Sequence, residues 1–229
     1  VAMLNVKDVH STTYVSSFPA RMKSKRGHPN TSDYQTALRL GFMHHGRPER
    51  LQTDHASVFY ENKSKSPFPT LFCLWLVSLG IKPCFSRVNQ PTDQGRVERA
   101  HQTVFAQVLR RRTSYQNWEH LFEWCEKRRT RLNEVIPSRA TDDLPPLVKY
   151  PEAKHSGRFY HPTTEAQLIC LEKVWAFLAK GKWFRKVASS RTICLGGQVY
   201  YVPGTVAGQQ LQITLCKQEK CLMFHNDKE

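Results

Sequence analysis

Apolar and polar side chains alternate over the first twenty residues. Met3, Leu4, Val6 and Val9 mark one run, and β-branched and aromatic residues dominate Thr12 to Phe18. The pattern predicts two adjacent strands with Asp8 to Ser11 as the turn between them. After a basic stretch, Arg21 to Arg26, the period lengthens. Pro29 and Asn30 introduce a helix reaching about His45, with Tyr34, Leu38 and Phe42 at helical spacing, and Gly46 to Pro48 ends it. Arg50 to Thr53 reads as a short strand that delivers Asp54 at its C-terminal end. Phe68 to Gly80 is apolar almost all round, hence a buried helix, and Lys82 to Ser86 a short strand.

Beyond this point the pattern becomes helical and then breaks. A helix is predicted from about Gln94 to Arg112, with Glu98 in its first turns. Another spans Trp118 to about Asn133, turning Leu121, Phe122, Trp124 and Cys125 inward and leaving Lys127, Arg128, Arg129 and Arg131 outside. Residues 137–163 are rich in proline and lack periodicity, as a linker wrapping a surface would be. A helix over Glu165 to Lys180 follows. Five short β-rich runs then alternate with Gly196-Gly197, Pro203-Gly204 and Gly208: Phe184 to Val187, Thr192 to Leu195, Gln198 to Val202, Gln210 to Leu215 and Cys221 to Phe224. Such spacing predicts a small barrel.

Charge narrows the class of partner. Lysine and arginine number 34 against 19 acidic residues, a formal charge of +15, which is the footprint of a protein that binds a polyanion, nucleic acid first. No apolar run approaches the ~18 residues of a membrane span. Lys7 and Asp8 interrupt the start of the chain where a secretory leader would be apolar, so a cytoplasmic setting is expected. Seven scattered cysteines suit reduced thiols. Cys216, Cys221 and His225 come nearest to a metal motif, but they offer three ligands within a strand-turn-strand pattern, and ordinary packing is the expectation.

Two carboxylates occupy element ends among polar neighbours: Asp54 after a strand and Glu98 early in a helix. Forty-four positions separate them, room for one helix and one strand. A strand-end Asp and a helix-borne Glu are the hard oxygen donors that hold Mg²⁺ or Mn²⁺ for phosphodiester chemistry. Spacing alone is weak evidence, since surface acids stand tens of residues apart in any chain.

The local words carry more. Gln52-Thr53-Asp54-His55-Ala56-Ser57-Val58-Phe59 resembles the Thr-Asp-Asn-Gly-Ser-x-Phe segment of the retroviral integrases and DDE transposases. Gln90-Pro91-Thr92-Asp93-Gln94-Gly95-Arg96-Val97-Glu98-Arg99 resembles their Pro-x-Ser/Thr-x-x-Gly-x-Val/Ile-Glu-Arg/Ser segment. The run Gly181-Lys182-Trp183 through Gly208-Gln209-Gln210-Leu211 is similar to the SH3-like barrel that follows the core in bacterial insertion-sequence transposases.

The resemblance implies an α/β, RNase H-like core, a mixed sheet flanked by helices, over residues 1–136. A linker over 137–163 and a helix with the small all-β barrel over 164–229 follow. It implies Mg²⁺-dependent DNA cleavage and strand transfer by a multimer on paired transposon ends, with Asp54 and Glu98 as the second and third members of a catalytic triad. The first strand, with the first Asp, is expected upstream of Val1, and Asp8 is expected to be a turn residue instead. His55 and Ala56 replace the family's Asn-Gly, which puts the turn after Asp54 in question because Ala tolerates positive φ poorly.

DNA contacts are expected from Arg96, Arg99, His101, Arg110, Arg111 and neighbouring Arg112, and from Lys182, Arg185 and Lys186. Lys127, Arg128, Arg129, Arg131 and Arg139 form a second basic cluster, either a DNA surface or a solvated face. Trp183, Phe184 and Tyr200 are expected in the barrel core rather than as a stacking platform. Two further readings stay open: a DNA-binding remnant of such an element without catalysis, and an RNase H-type nuclease without strand transfer.

Overall fold

The computed structural model describes residues 1–22, 28–60, 68–87, 95–106 and 114–226. The protein is mixed α/β, and contacts divide it into two compact units, residues 1–49 with 86–165 and residues 50–85 with 166–229.

In the first unit, β1 (Ala2–Lys7) and β2 (Tyr14–Ala20) form an antiparallel hairpin, in register from Ala2 opposite Ala20 to Val6 opposite Ser16, with a bulge before Lys7. The alternation places two layers on it. Ala2, Leu4, Phe18 and Ala20 pack against Tyr34 and Ala37 of α1 (Thr31–His45). Met3 and Tyr14 pack with Ala100 and Val104 of α3 (Gly95–Val104) and with Leu121, Cys125 and Leu132 of α4 (Trp118–Glu134).

Helix α1 starts where the sequence predicts, because Asn30 and Asp33 close a reciprocal capping box. It stops at Gly46, whose φ of 75° suits glycine, and a Cβ there would collide with Ser156 Oγ. Residues 137–165 are part of this unit. Ser156 N donates to His45 O, Arg47 N donates to Arg158 O, and Arg39 makes a two-pronged pair with Glu165 at 2.7 Å. Short helical turns fill the segment: Arg139–Thr141, capped by the Ser138 side chain, and α5 (Pro146–Lys149), Pro151–Lys154 and Pro162–Thr164, each with a proline in its first turn, where it is tolerated.

In the second unit, β3 (Arg50–Thr53) and β4 (Lys82–Phe85) are parallel, joined through α2 (Leu71–Ser78). The helix expected over Glu165 to Lys180 is two, α6 (Glu165–Leu168) and α7 (Leu171–Leu178), because Cys170 N is diverted to Ser78 O at 3.0 Å.

The five C-terminal strands all form within one residue of their predicted bounds: β5 (Trp183–Lys186), β6 (Thr192–Leu195), β7 (Gln198–Tyr201), β8 (Gln210–Cys216) and β9 (Cys221–His225). They do not close into a hydrogen-bonded barrel. One sheet has the order β5-β8-β9 and the other is the β6-β7 hairpin. Both face one core of Trp183, Val187, Ile193, Leu195, Val202, Leu211 and Ile213, into which Phe68 also packs. The Phe68 ring lies against Gly196, where a Cβ would meet it at 2.8 Å. Among the described residues no helix is long and apolar enough to cross a membrane.

Candidate functional site

Asp54 follows β3 directly, at the edge where the two parallel strands end, and is exposed. The C-terminal edge of parallel strands is where open α/β sheets gather ligands. Its Oδ1 accepts from Ala56 N at 3.0 Å, an Asx turn that starts the 55–60 loop. Phe59 N and Tyr60 N both donate to Ala56 O at 2.9 Å. Ala56 is not at positive φ, so the replacement of Asn-Gly leaves the turn unstrained. Sequence reasoning missed what surrounds it: the His55, Tyr60 and Phe85 rings pack mutually, with centroids 4.8, 5.1 and 5.9 Å apart.

Glu98 is exposed on the first turns of α3, in the other unit. The helix is seated by Ala100 and Val104, both essentially without exposure, and the four-residue interval between them turns Glu98 and Arg99 to solvent. His101 is tethered to β1, its Nδ1 lying 2.9 Å from Asn5 Nδ2. An amide nitrogen donates, so the neutral ring carries its proton on Nε2. Desolvation holds this histidine below its ordinary value, against the opposing pull of Glu98.

Asp54 and Glu98 are hard oxygen donors, and the Asx turn engages only Oδ1 of Asp54. That donor chemistry fits a divalent cation such as Mg²⁺. Among the described residues no group of three or more His, Cys, Asp or Glu gathers to hold a metal. Asp8 adds nothing to such a set. Its Oδ2 accepts from Ser11 N at 2.6 Å and Ser11 Oγ at 2.7 Å, as expected of a turn residue.

The basic residues separate into three kinds. Arg99, Lys182 and Lys186 are exposed. Arg185 is instead half-buried, its Nε donating to Cys194 O at 3.2 Å and Nη1 to Phe184 O at 2.8 Å, which links β5 to β6. Arg110 and Arg111, and the side chain of Arg96, lie outside the described residues.

Phe184 corrects the expectation of a core residue. It is 50% exposed, whereas Trp183 is 9% exposed and faces the core. Strand alternation therefore sets Phe184 and Lys186 on the outer face of β5, with Lys182 leading into the same face.

The second basic cluster is broken by α4 itself. Lys127, Arg131 and Arg139 are exposed, and the Arg128 guanidinium lies 5.7 Å from the centroid of the Trp124 ring. Arg129, expected outside, is 7% exposed. It follows Cys125 by four positions and precedes Leu132 by three, which is the inward stripe of the helix. Its charge is met by Glu126, with Nη2 to Oε2 at 2.8 Å, and its Nη1 lies 3.0 Å from His45 Nε2. No family model matches the chain.

Proposed function

We propose that the protein is a DNA strand-transfer enzyme of the retroviral-integrase and DDE-transposase kind, with an RNase H-like core, in which Asp54 and Glu98 hold Mg²⁺. The observation that carries this reading is the setting of the two motif acids. Asp54 is exposed where parallel strands β3 and β4 end, Glu98 is exposed on the solvent side of α3, and neither carboxylate is consumed by an ion pair with a described residue. Acids kept for structure are ordinarily paired, as Glu126 and Glu165 are.

Bound there, the cation would supply Lewis-acid stabilisation of the phosphoryl group and a more acidic water or 3′-hydroxyl. The chain's own side chains bind and orient the substrate. Arg99, one position beyond Glu98, offers a forked donor set to a phosphate, and His101 Nε2–H offers a neutral donor on the same helix. Lys182 and Lys186 contact the backbone without reading sequence, and Phe184 between them offers a face for an unpaired base. A multimer on paired transposon ends is the acting form.

One observation favours a second reading, a DNA-binding polypeptide without catalysis. The Asp8 carboxylate is bound up in its own turn, so the described residues provide two acids for a role that takes three in the family this chain resembles.

Incubating the full-length polypeptide with Mg²⁺ and pre-nicked transposon-end DNA separates the readings. Joined products are expected from the enzyme. Hydrolysis products alone would mark a nuclease, and binding without either product would mark the second reading.

A further inference from the structure

We propose that Cys216 and Cys221 form an oxidisable dithiol, a modification site that takes a small-molecule disulfide as its two-electron oxidant and closes into a cross-strand disulfide. The two residues are the final pair of the β8-β9 ladder and stand directly opposite each other. Opposed residues of antiparallel strands have Cα atoms about 4.5 to 5.5 Å apart and side chains on the same face. A disulfide spans Cα separations of roughly 4.4 to 6.8 Å, so the bridge closes by side-chain rotation with the backbone in place.

What now holds the two sulfurs is weak and local. Cys216 Sγ reaches Gln218 Oε1 and Cys221 Sγ reaches Glu219 Oε2, each at 3.5 Å, within the turn that joins the strands. Met223 Sδ, 3.9 Å from Cys221 Sγ, adds a soft neighbour. Both cysteines are partly exposed, so a dissolved reagent reaches them.

The other five thiols lack this arrangement. Cys73 and Cys125 are buried away from a dissolved reagent, and burial pushes their thiols up to about 11 and about 12. The Cys221 thiol is raised as well, by desolvation and then by its bond to Glu219, so accessibility and register rather than acidity set the pair apart. Cys84 faces Gln52 and Cys194 faces Val199. Cys170 lies between α6 and α7, outside any strand pair. A zinc centre on Cys216, Cys221 and His225 is disfavoured by the same register. Four strand positions carry His225 roughly 13 Å along β9 from Cys221, and its Nε2 lies 2.8 Å from Thr214 Oγ1.

The chemistry is thiol–disulfide exchange. One thiolate of the pair, its proton lost to solvent, attacks a sulfur of the small disulfide. The new S–S bond forms as the old one breaks and one small thiolate leaves and takes up a proton. The second cysteine, likewise deprotonated, then attacks the mixed disulfide and releases the second small thiol. Two protein thiols are oxidised and one small disulfide is reduced to two thiols. The bridge pins the edge of the β5-β8-β9 sheet, where β9 pairs, among the described residues, with β8 alone.

The test is oxidised glutathione added to the folded, full-length protein, followed by alkylation under denaturing conditions and peptide mass mapping. A loss of two thiols in one Cys216–Cys221 cross-linked peptide is expected, with hydrogen exchange in β9 slowed several-fold. Cys216→Ser and Cys221→Ser should each retain a glutathione adduct on the remaining partner and give no cross-link. A pair that stays reduced while Cys84, Cys170 or Cys194 reacts, or that bridges between molecules, would overturn the proposal.

Discussion

Arg129 aims a guanidinium nitrogen at His45, with Nη1 3.0 Å from Nε2 and both side chains buried. The His45 Nδ1 lies 3.1 Å from Lys154 O, and a carbonyl only accepts, so the ring's proton sits on Nδ1 and Nε2 receives the Arg129 hydrogen bond. The histidine is thus held neutral by its geometry, between a fixed cation and a carbonyl.

Burial, and then the charge of Arg129, hold His45 below its ordinary value of 6.5. The unfolded chain therefore takes up a proton there more readily than the folded one. Stability is unaffected above that value and falls as pH drops from it toward the lowered folded pKa. Glu126, paired to Arg129, and His44, whose Nε2 is 3.8 Å from Glu126, are the other titratable groups of the cluster. Thermal unfolding at about pH 7.5 and about pH 5 should show a lower midpoint in acid. His45→Gln should flatten that dependence without abolishing it, because His101 is shifted the same way. An unchanged slope would contradict the assignment.

Arg129→Met strands the Glu126 carboxylate and removes the donors to His45 and Tyr14 O. Breaking a buried pair from one side costs roughly 3 kcal/mol, which urea denaturation would read directly. Arg129→Lys should recover only part of that loss, since an ammonium cannot make the fork that reaches Glu126 and His45 together.

Asn133 is 1% exposed and clamps the backbone of β2, its Oδ1 accepting from Tyr14 N at 2.8 Å and its Nδ2 donating to Tyr14 O at 3.0 Å. The bulge before Lys7 sits opposite this point. Asn133→Ala leaves two buried backbone groups without these partners and should cost roughly 3 kcal/mol of stability. Asn133→Asp, nearly equal in volume, keeps an acceptor for Tyr14 N but sets an oxygen against Tyr14 O and should be no better, which separates lost hydrogen bonds from lost packing.

Lys182→Ala and Lys186→Ala should weaken DNA binding uniformly across sequences. Each should lower the slope of log affinity against log salt by roughly 1, as read by fluorescence anisotropy at several salt concentrations. Phe184→Ala should reduce binding to single-stranded more than to duplex DNA. Arg185→Ala should act differently, lowering the melting temperature, because its guanidinium is committed to the carbonyls of Cys194 and Phe184.

Much of the local structure was legible because each element carries its own signals. Pro29 with Asn30 announces α1, and the β-rich runs separated by Gly196-Gly197 and Pro203-Gly204 announce five strands. What was not legible depends on contacts distant in sequence. The 137–163 segment looks like a linker because its order comes from His45, Arg47 and Arg39 rather than from its own periodicity. The residue type of Arg129 suggests an outward position, although its spacing from Cys125 and Leu132 places it on the buried stripe. The barrel expectation counted strands correctly but could not tell which would pair. For the candidate site, the sequence singled out both acids. The aromatic cluster beside Asp54 is not legible in the sequence, since Phe85 arrives from β4 whereas His55 and Tyr60 lie in the loop after β3.

The central claim is that Asp54 and Glu98 act through a divalent cation on a DNA phosphodiester. Asp54→Asn and Glu98→Gln each keep the size of the side chain while removing its charge, so a Mg²⁺-dependent strand-transfer assay on the full-length polypeptide, run beside a DNA-binding measurement, is the most direct test. Each variant should lose strand transfer by at least about a hundredfold and still bind DNA. Strand transfer at the unsubstituted rate in either variant would contradict the account.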